Sequence, residues 1–239
     1  MRTIAIVLVL GLGCHSDTSD DQTVQLAAKM ANFSDQVAAA DRRMHVRYGS
    51  ARQIQYAVAV SDLDRAHADA RVIDSLIEPD LLPPWRPYAE SVRDAARQIA
   101  NTTGLGAAAR ATSVLGTRCA SCHEATHAAI KFDDTPRPDV TAGTPRMVDH
   151  EWATMRMWDG LIGPSEERWK SGARALTTMP SNLIASAVTP AFQGDIDDVA
   201  RVRLFATRAG NAASAEERQE VFGDLLAACA HCHQALRDR

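Results

Sequence analysis

Apolar residues recur along this chain in steps of three and four, the period of a helix face, and nowhere in sustained alternation. Leu26, Met30, Phe33, Val37, Ala40 and Met44 alternate steps of four and three, one face of a long helix, and Ile54 and Val58 prolong the stripe towards Ser61–Asp62. There a polar turn and cap predict a second helix, which Pro79, Pro83, Pro84 and Pro87 end. A third helix is expected over about 87–103, stopping near Gly104 and Gly106, and a fourth from about Ala107 through Cys119 and Cys122. The pattern then returns as helices over about 146–162, 165–178, 195–210 and 214–237, with Pro180 and Pro190 between the second and third. Residues 131–145 carry Pro136, Pro138, Gly143 and Pro145 without apolar period, and read as a linker. The expected fold is all-α: two tandem antiparallel four-helix bundles, 22–130 and 146–239.

The return is a duplication. Cys119 and Cys229, Cys122 and Cys232, and His123 and His233 are each 110 positions apart, as are Val92 and Val202, Ala96 and Ala206, Asn101 and Asn211, and Leu115 and Leu225. Upstream the offset is 103, pairing Met44 with Met147, Arg65 with Arg168, Ala70 with Ala173 and Arg71 with Arg174. A seven-residue insertion within Leu176–Asp195 accounts for the difference. A period near 110 is that of a repeated domain, not of a solenoid.

Alanine is abundant and aromatics only 5%, which favours close-packed helices over sandwiches. The net charge of −4 shows no basic excess, so nucleic acid is not an expected partner. At the N-terminus Arg2 precedes an apolar run, Thr3 to Leu12, too short to span a bilayer core of roughly 30 Å as a helix. Gly11-Leu12-Gly13-Cys14 follows and resembles the lipobox of bacterial lipoproteins. The resemblance implies a signal peptide over 1–13, removed ahead of a lipidated Cys14, and an extracytoplasmic protein held at the membrane by lipid alone. A plain cleaved signal with an incidental cysteine is the alternative. Residues 14–21 read as a polar tether.

The other four cysteines carry the chemistry. Cys119-Ala120-Ser121-Cys122-His123 and Cys229-Ala230-His231-Cys232-His233 both match C-x-x-C-H, the c-type haem attachment pattern. Two thiols three positions apart on a helical turn can each add to one vinyl group of a porphyrin, and the adjacent histidine presents its imidazole to the iron. Ala111, Leu115, Cys119 and Cys122, like Val221, Leu225, Cys229 and Cys232, are spaced so that both thiols continue the core-facing stripe of the fourth helix. A thioredoxin-like C-x-x-C would need a strand leading into a helix, and one four-cysteine zinc site would leave both histidines unexplained.

A terminal C-x-x-C-H on the last helix of an antiparallel four-helix bundle resembles the class II c-type cytochromes, the cytochrome c′ group, over about residues 22–130 and again 146–239. The resemblance implies two covalently bound haem c, His123 and His233 as proximal ligands, and a basic residue near the propionates four positions beyond each. Arg237 fits that position, whereas the first copy has His127. In that family the sixth position is either open or filled by a methionine of the first helix, a role Met44 and Met147 would take. The plainer reading of Met44 is core packing. His45 and His150 are rival ligands, needing different helix registers. Met155 and Met157 read as packing, His15 and His67 as solvated, and His231 as pointing away from the iron. Asp62-Asp64-Arg65 and Glu166-Glu167-Arg168 read as exposed helix surface.

The expectation is therefore a dihaem electron carrier at a bacterial cell envelope, not an enzyme, exchanging single electrons with donor and acceptor proteins. An acidic balance suits steered, transient partners with basic patches. The family also implies dimerisation through helix faces, and a homodimer is a further expectation. The alternatives are a five-coordinate haem that binds NO or CO and, last, a dihaem peroxidase, for which the sequence offers no substrate pocket.

Overall fold

The computed structural model describes residues 18–76, 81–139, 147–178 and 193–237 of the chain. Among these residues the fold is all-α: α1 (Thr18–Ala59), α2 (Leu63–Ser75), α3 (Arg86–Ala100), α4 (Leu105–Thr126), α5 (Met147–Ile162), α6 (Glu166–Thr177), α7 (Gln193–Asn211) and α8 (Ala215–Arg237), with a 3-10 turn at Pro83–Trp85. Cys14 and the expected signal sequence lie outside the described residues, and so does most of the predicted insertion. The expected tether is helical from Thr18 on.

The repeat is reproduced in the helix ends. α1 and α5 end at Ala59 and Ile162, and α2 and α6 begin at Leu63 and Glu166, both pairs at the offset of 103; α4 and α8 begin at Leu105 and Ala215, at 110. The turns repeat as well. Asp62 caps α2 by accepting from Arg65 N, and Ser165 caps α6 by accepting from Arg168 N. Asp62 N donates to Ala57 O, and Ser165 N to Gly160 O, so one of the carbonyls left over where each first helix ends is taken up in the same way. Even a surface bond recurs: Asn101 Nδ2 donates to Arg97 O, and Asn211 Nδ2 to Thr207 O.

Residues up to Arg42 and those from Arg43 onward are two separate compact units. In the first, the predicted stripe lies on the helix, but Leu26, Met30 and Phe33 are each more than half exposed and belong to no buried core. The second unit holds the rest of both copies. There α4 and α8 pack extensively and antiparallel: Thr117 Oγ1 donates to Gln219 Oε1 at 2.6 Å, and a methyl group on Gly223 would stand 3.0 Å from Ser113 Oγ. Ser113 and Gly223 are equivalent positions of the repeat, so the helices cross on a local two-fold relation. α1 and α5 obey the same relation. Tyr48 Oη donates to Asp159 Oδ1 at 2.6 Å, and the equivalent pair Arg52 and Met155 line one groove with Tyr56 and Glu151.

In place of two cores separated at 131–145, the buried residues of both copies form one cluster, from Ile54, Ile99 and Leu115 to Trp158, Phe222 and Leu225. The small residues of α4 explain this. A Cβ on Gly116 would meet Trp158 and Leu161 of α5 at 2.8 Å, so α5 lies against α4 of the other copy. Trp158, Trp169 and Phe222 pack as an aromatic group where the first copy has Gln55, Ala66 and Thr112. The linker has no regular secondary structure over residues 131–139 and is docked. Arg137 forks onto buried Asp149 at 2.7 and 2.8 Å, Trp152 Nε1 donates to Thr135 O at 2.9 Å, and Arg156 pairs with Asp134 at 2.6 Å. Arg168 is not the exposed residue its charge run suggested: it is 14% exposed, over the Phe132 ring and paired with Asp159 at 3.5 Å.

Gly116→Ala is expected to destabilise by about 1–3 kcal/mol through overpacking. Gly49→Ala, in α1 with nothing within 4 Å of the added methyl, should instead gain about 0.5–1 kcal/mol; urea unfolding of both variants checks the contrast. Burial, and then the hydrogen bond to Asp159, hold the Tyr48 phenol above its ordinary value. A raised folded pKa contributes stability that is present below the unfolded value near 10 and lost as pH rises through the folded one. The unfolding free energy should therefore fall above about pH 10. Tyr48→Phe should flatten that fall and cost about 1–3 kcal/mol at neutral pH, because the buried Asp159 loses a donor.

Candidate functional site

Each C-x-x-C-H lies in the closing turns of its helix. In α4 the stripe reads Leu115 and Cys122, both buried, with Cys119 packed against the core; in α8, Val221 and Leu225 are buried and Cys229 packs likewise. Cys119, Cys122 and Cys229 thus face inward, as their spacing predicted, while Cys232 is half-buried. Burial first, then the neighbouring Cys122, push the Cys119 thiol up to about 12, with Arg47 opposing. Burial and then Cys232 do the same at Cys229, where Asp198 also raises the value.

The histidines are held by backbone. His123 Nδ1 lies 2.9 Å from Ile162 O, and His233 Nδ1 lies 2.6 Å from Ala59 O and 3.1 Å from Cys229 O. A carbonyl only accepts, so Nδ1 carries the proton and Nε2 keeps its lone pair. Metal-ligating histidines almost always have this arrangement. Burial holds His123 below its ordinary pKa, against the raising effect of its bond to Ile162.

The neighbours differ between motifs. Arg47, 5% exposed, lies within electrostatic reach of Cys119. At the equivalent position of the second copy, His150 is half-buried near His233; burial lowers its pKa first, the His233 charge lowers it further, and Asp149 opposes. Met44 is half-buried, Met147 is 51% exposed and His45 is exposed. Met157 is fully buried and Met155 packs against the core, as expected of packing residues. His231 bonds Asp198 at 3.0 Å, and Asp198, 2% exposed, also pairs with Arg201 at 3.1 Å. Arg237 donates to Ser61 O, and His127 is the left-handed residue (φ 51°) that ends α4. His67, expected in solvent, is half-buried and bonded to Thr102 Oγ1 at 3.2 Å, because α2 packs on α3 and brings the Thr102 turn to it.

Sequence reasoning missed Arg47, Asp198 and the two carbonyls. Main-chain acceptors carry no residue signature, yet the offsets of 103 and 110 already related Ala59 to Ile162 and His123 to His233. Among the described residues no three His, Cys, Asp or Glu side chains converge as a directly ligated metal would need, which does not bear on a porphyrin. No described helix is long and apolar enough to cross a membrane. No protein-family profile, curated protein or solved structure matches the chain.

With all four thiols free, Cys119 and Cys229 should resist iodoacetamide at pH 8 and react once the chain is denatured, since a thiol near 12 is almost all protonated. Peptide mass mapping of the alkylated sites reads the outcome.

Proposed function

We propose that the chain is a dihaem c-type cytochrome that carries single electrons at the bacterial cell envelope, its two halves descending from one class II-like four-helix unit. The observation that carries this reading is the pair of C-x-x-C-H motifs whose histidines both hold a proton on Nδ1 and present Nε2. Cys119, Cys122, Cys229 and Cys232 are the attachment residues, His123 and His233 the proximal ligands. Haem bound there supplies a one-electron iron couple.

The residues around each motif would tune it differently. A buried Arg47 beside the first motif disfavours the more positive, ferric state, which raises the potential. At the second motif the Asp198 charge is offset by Arg201, and His150, half-buried and within electrostatic reach of His233 where Met147 is exposed, is the candidate sixth ligand. Met44 is the candidate at the first. Arginine has no lone pair to offer iron, so without Met44 the first motif would be the gas-binding, five-coordinate one, the second reading. His123 and His233 each lie ten residues beyond the α4–α8 crossing, about 30 Å apart along the helices, which suits partners met at opposite ends. The N-terminal lipid on Cys14 would provide the membrane attachment.

Expressed with its signal sequence in a host that attaches haem c, the protein should be red and carry two haems by mass. Cys119→Ser/Cys122→Ser and Cys229→Ser/Cys232→Ser should each remove one; colourless wild-type protein would end the haem reading. Potentiometric titration should resolve two couples, the higher surviving in Cys229→Ser/Cys232→Ser. Carbon monoxide binding at that haem decides between Met44 ligation and an open site.

A further inference from the structure

We infer that each haem site is composite: the turn ending the first helix of one copy is the positioning element for the iron ligand of the other. The inference rests on the haem reading above and adds to it. His233 of the second copy donates to Ala59 O of the first, and His123 of the first donates to Ile162 O of the second. Donors and acceptors are both equivalent pairs of the repeat, so one contact is made twice, and both times it crosses between copies.

The acceptors suit the task. Ala59 and Ile162 are the last residues of α1 and α5, where carbonyls have no acceptor role left in their own helix and the dipole is negative. A proton on Nδ1 drawn to such a carbonyl fixes the ring's rotation and tautomer and makes Nε2 a stronger donor towards iron. Each turn is itself fixed. Val60 N, Ser61 N and Asp62 N bond Tyr56 O, Val58 O and Ala57 O in the first copy; Gly163 N and Ser165 N bond Asp159 O and Gly160 O in the second.

The first-copy turn has further holds on the second motif. Ser61 Oγ donates to Ala230 O at 2.5 Å, inside the Cys229–Cys232 segment, and Arg237 donates to Ser61 O. Ser61 has φ 63°, a left-handed conformation that proline cannot adopt and glycine adopts freely. In the second copy the equivalent residue is Pro164, and a Cβ on Gly160 would stand 2.5 Å from Trp169 N, so Gly160→Ala displaces the end of α5.

The test uses full-length protein with a single haem. With haem only on the second motif (Cys119→Ser/Cys122→Ser), Ser61→Pro should change the ferric-to-ferrous ratio at fixed solution potential about tenfold, a shift of about 59 mV for one electron. It should also shift the Soret and visible absorption bands of that haem. With haem only on the first motif (Cys229→Ser/Cys232→Ser), Gly160→Ala should act in that way and Ser61→Pro should leave potential and spectrum unchanged. Ser61→Gly keeps the turn and removes only the hydroxymethyl side chain, so it should bind haem fully and shift the second-motif haem by less than proline does. If Ser61→Pro fails to fold, Ser61→Gly and Gly160→Ala decide alone. Effects confined to the haem of the mutated copy, or no shift in either haem with both variants folded, overturn the composite site. Failure of the parent proteins to bind haem overturns the haem reading instead.

Discussion

The antiparallel crossing of α4 and α8 at Ser113 and Gly223 is the constraint on which the second compact unit depends. Two helices can approach this closely only where small residues meet, and here they meet at equivalent points of a duplicated sequence. Once that crossing is set, the two motifs face opposite ends of the pair. The first helix of each copy runs from the neighbourhood of its own motif to that of its partner, because α1 and α5 also lie antiparallel, joined by Tyr48 and Asp159. The His123 and His233 contacts are then the same geometric result arrived at twice. Nothing in either half alone could produce them.

Symmetry of position has not kept symmetry of chemistry. Gln55, Ala66 and Thr112 of the first copy answer to Trp158, Trp169 and Phe222 of the second. The large residues fit because Gly116, Gly160 and Gly172 leave room around α5 and α6: a Cβ at any of them would come within 3 Å of a neighbour. Arg47 answers to His150, and Ser61 to Pro164. A chain that carries both halves can vary each separately, whereas an assembly of identical subunits must change both sites together.

Much of the fold was legible because helix period and duplication are properties of sequence alone. The eight helices fall close to their expected bounds, and Asp62 sits at the cap its position promised. What escaped was tertiary. The stripe of Leu26, Met30 and Phe33 has the right period for burial, but period says which residues share a face, not whether anything covers it. Arg168 and His67 carry polar labels that say nothing of the Phe132 ring or the Thr102 hydroxyl beside them. The thiols and histidines were found by spacing; the carbonyls that orient the histidines, being main chain, could be found only by folding.

The exchange of carbonyls also gives the two motifs different histories on the way to the folded state. A chain made from its N-terminus completes Cys119–His123 about forty residues before Ile162 exists, so the first histidine must wait, unanchored, for a later helix. The second arrives to find Ala59 long since made. One motif is thus made before the carbonyl that holds its histidine, and the other after it.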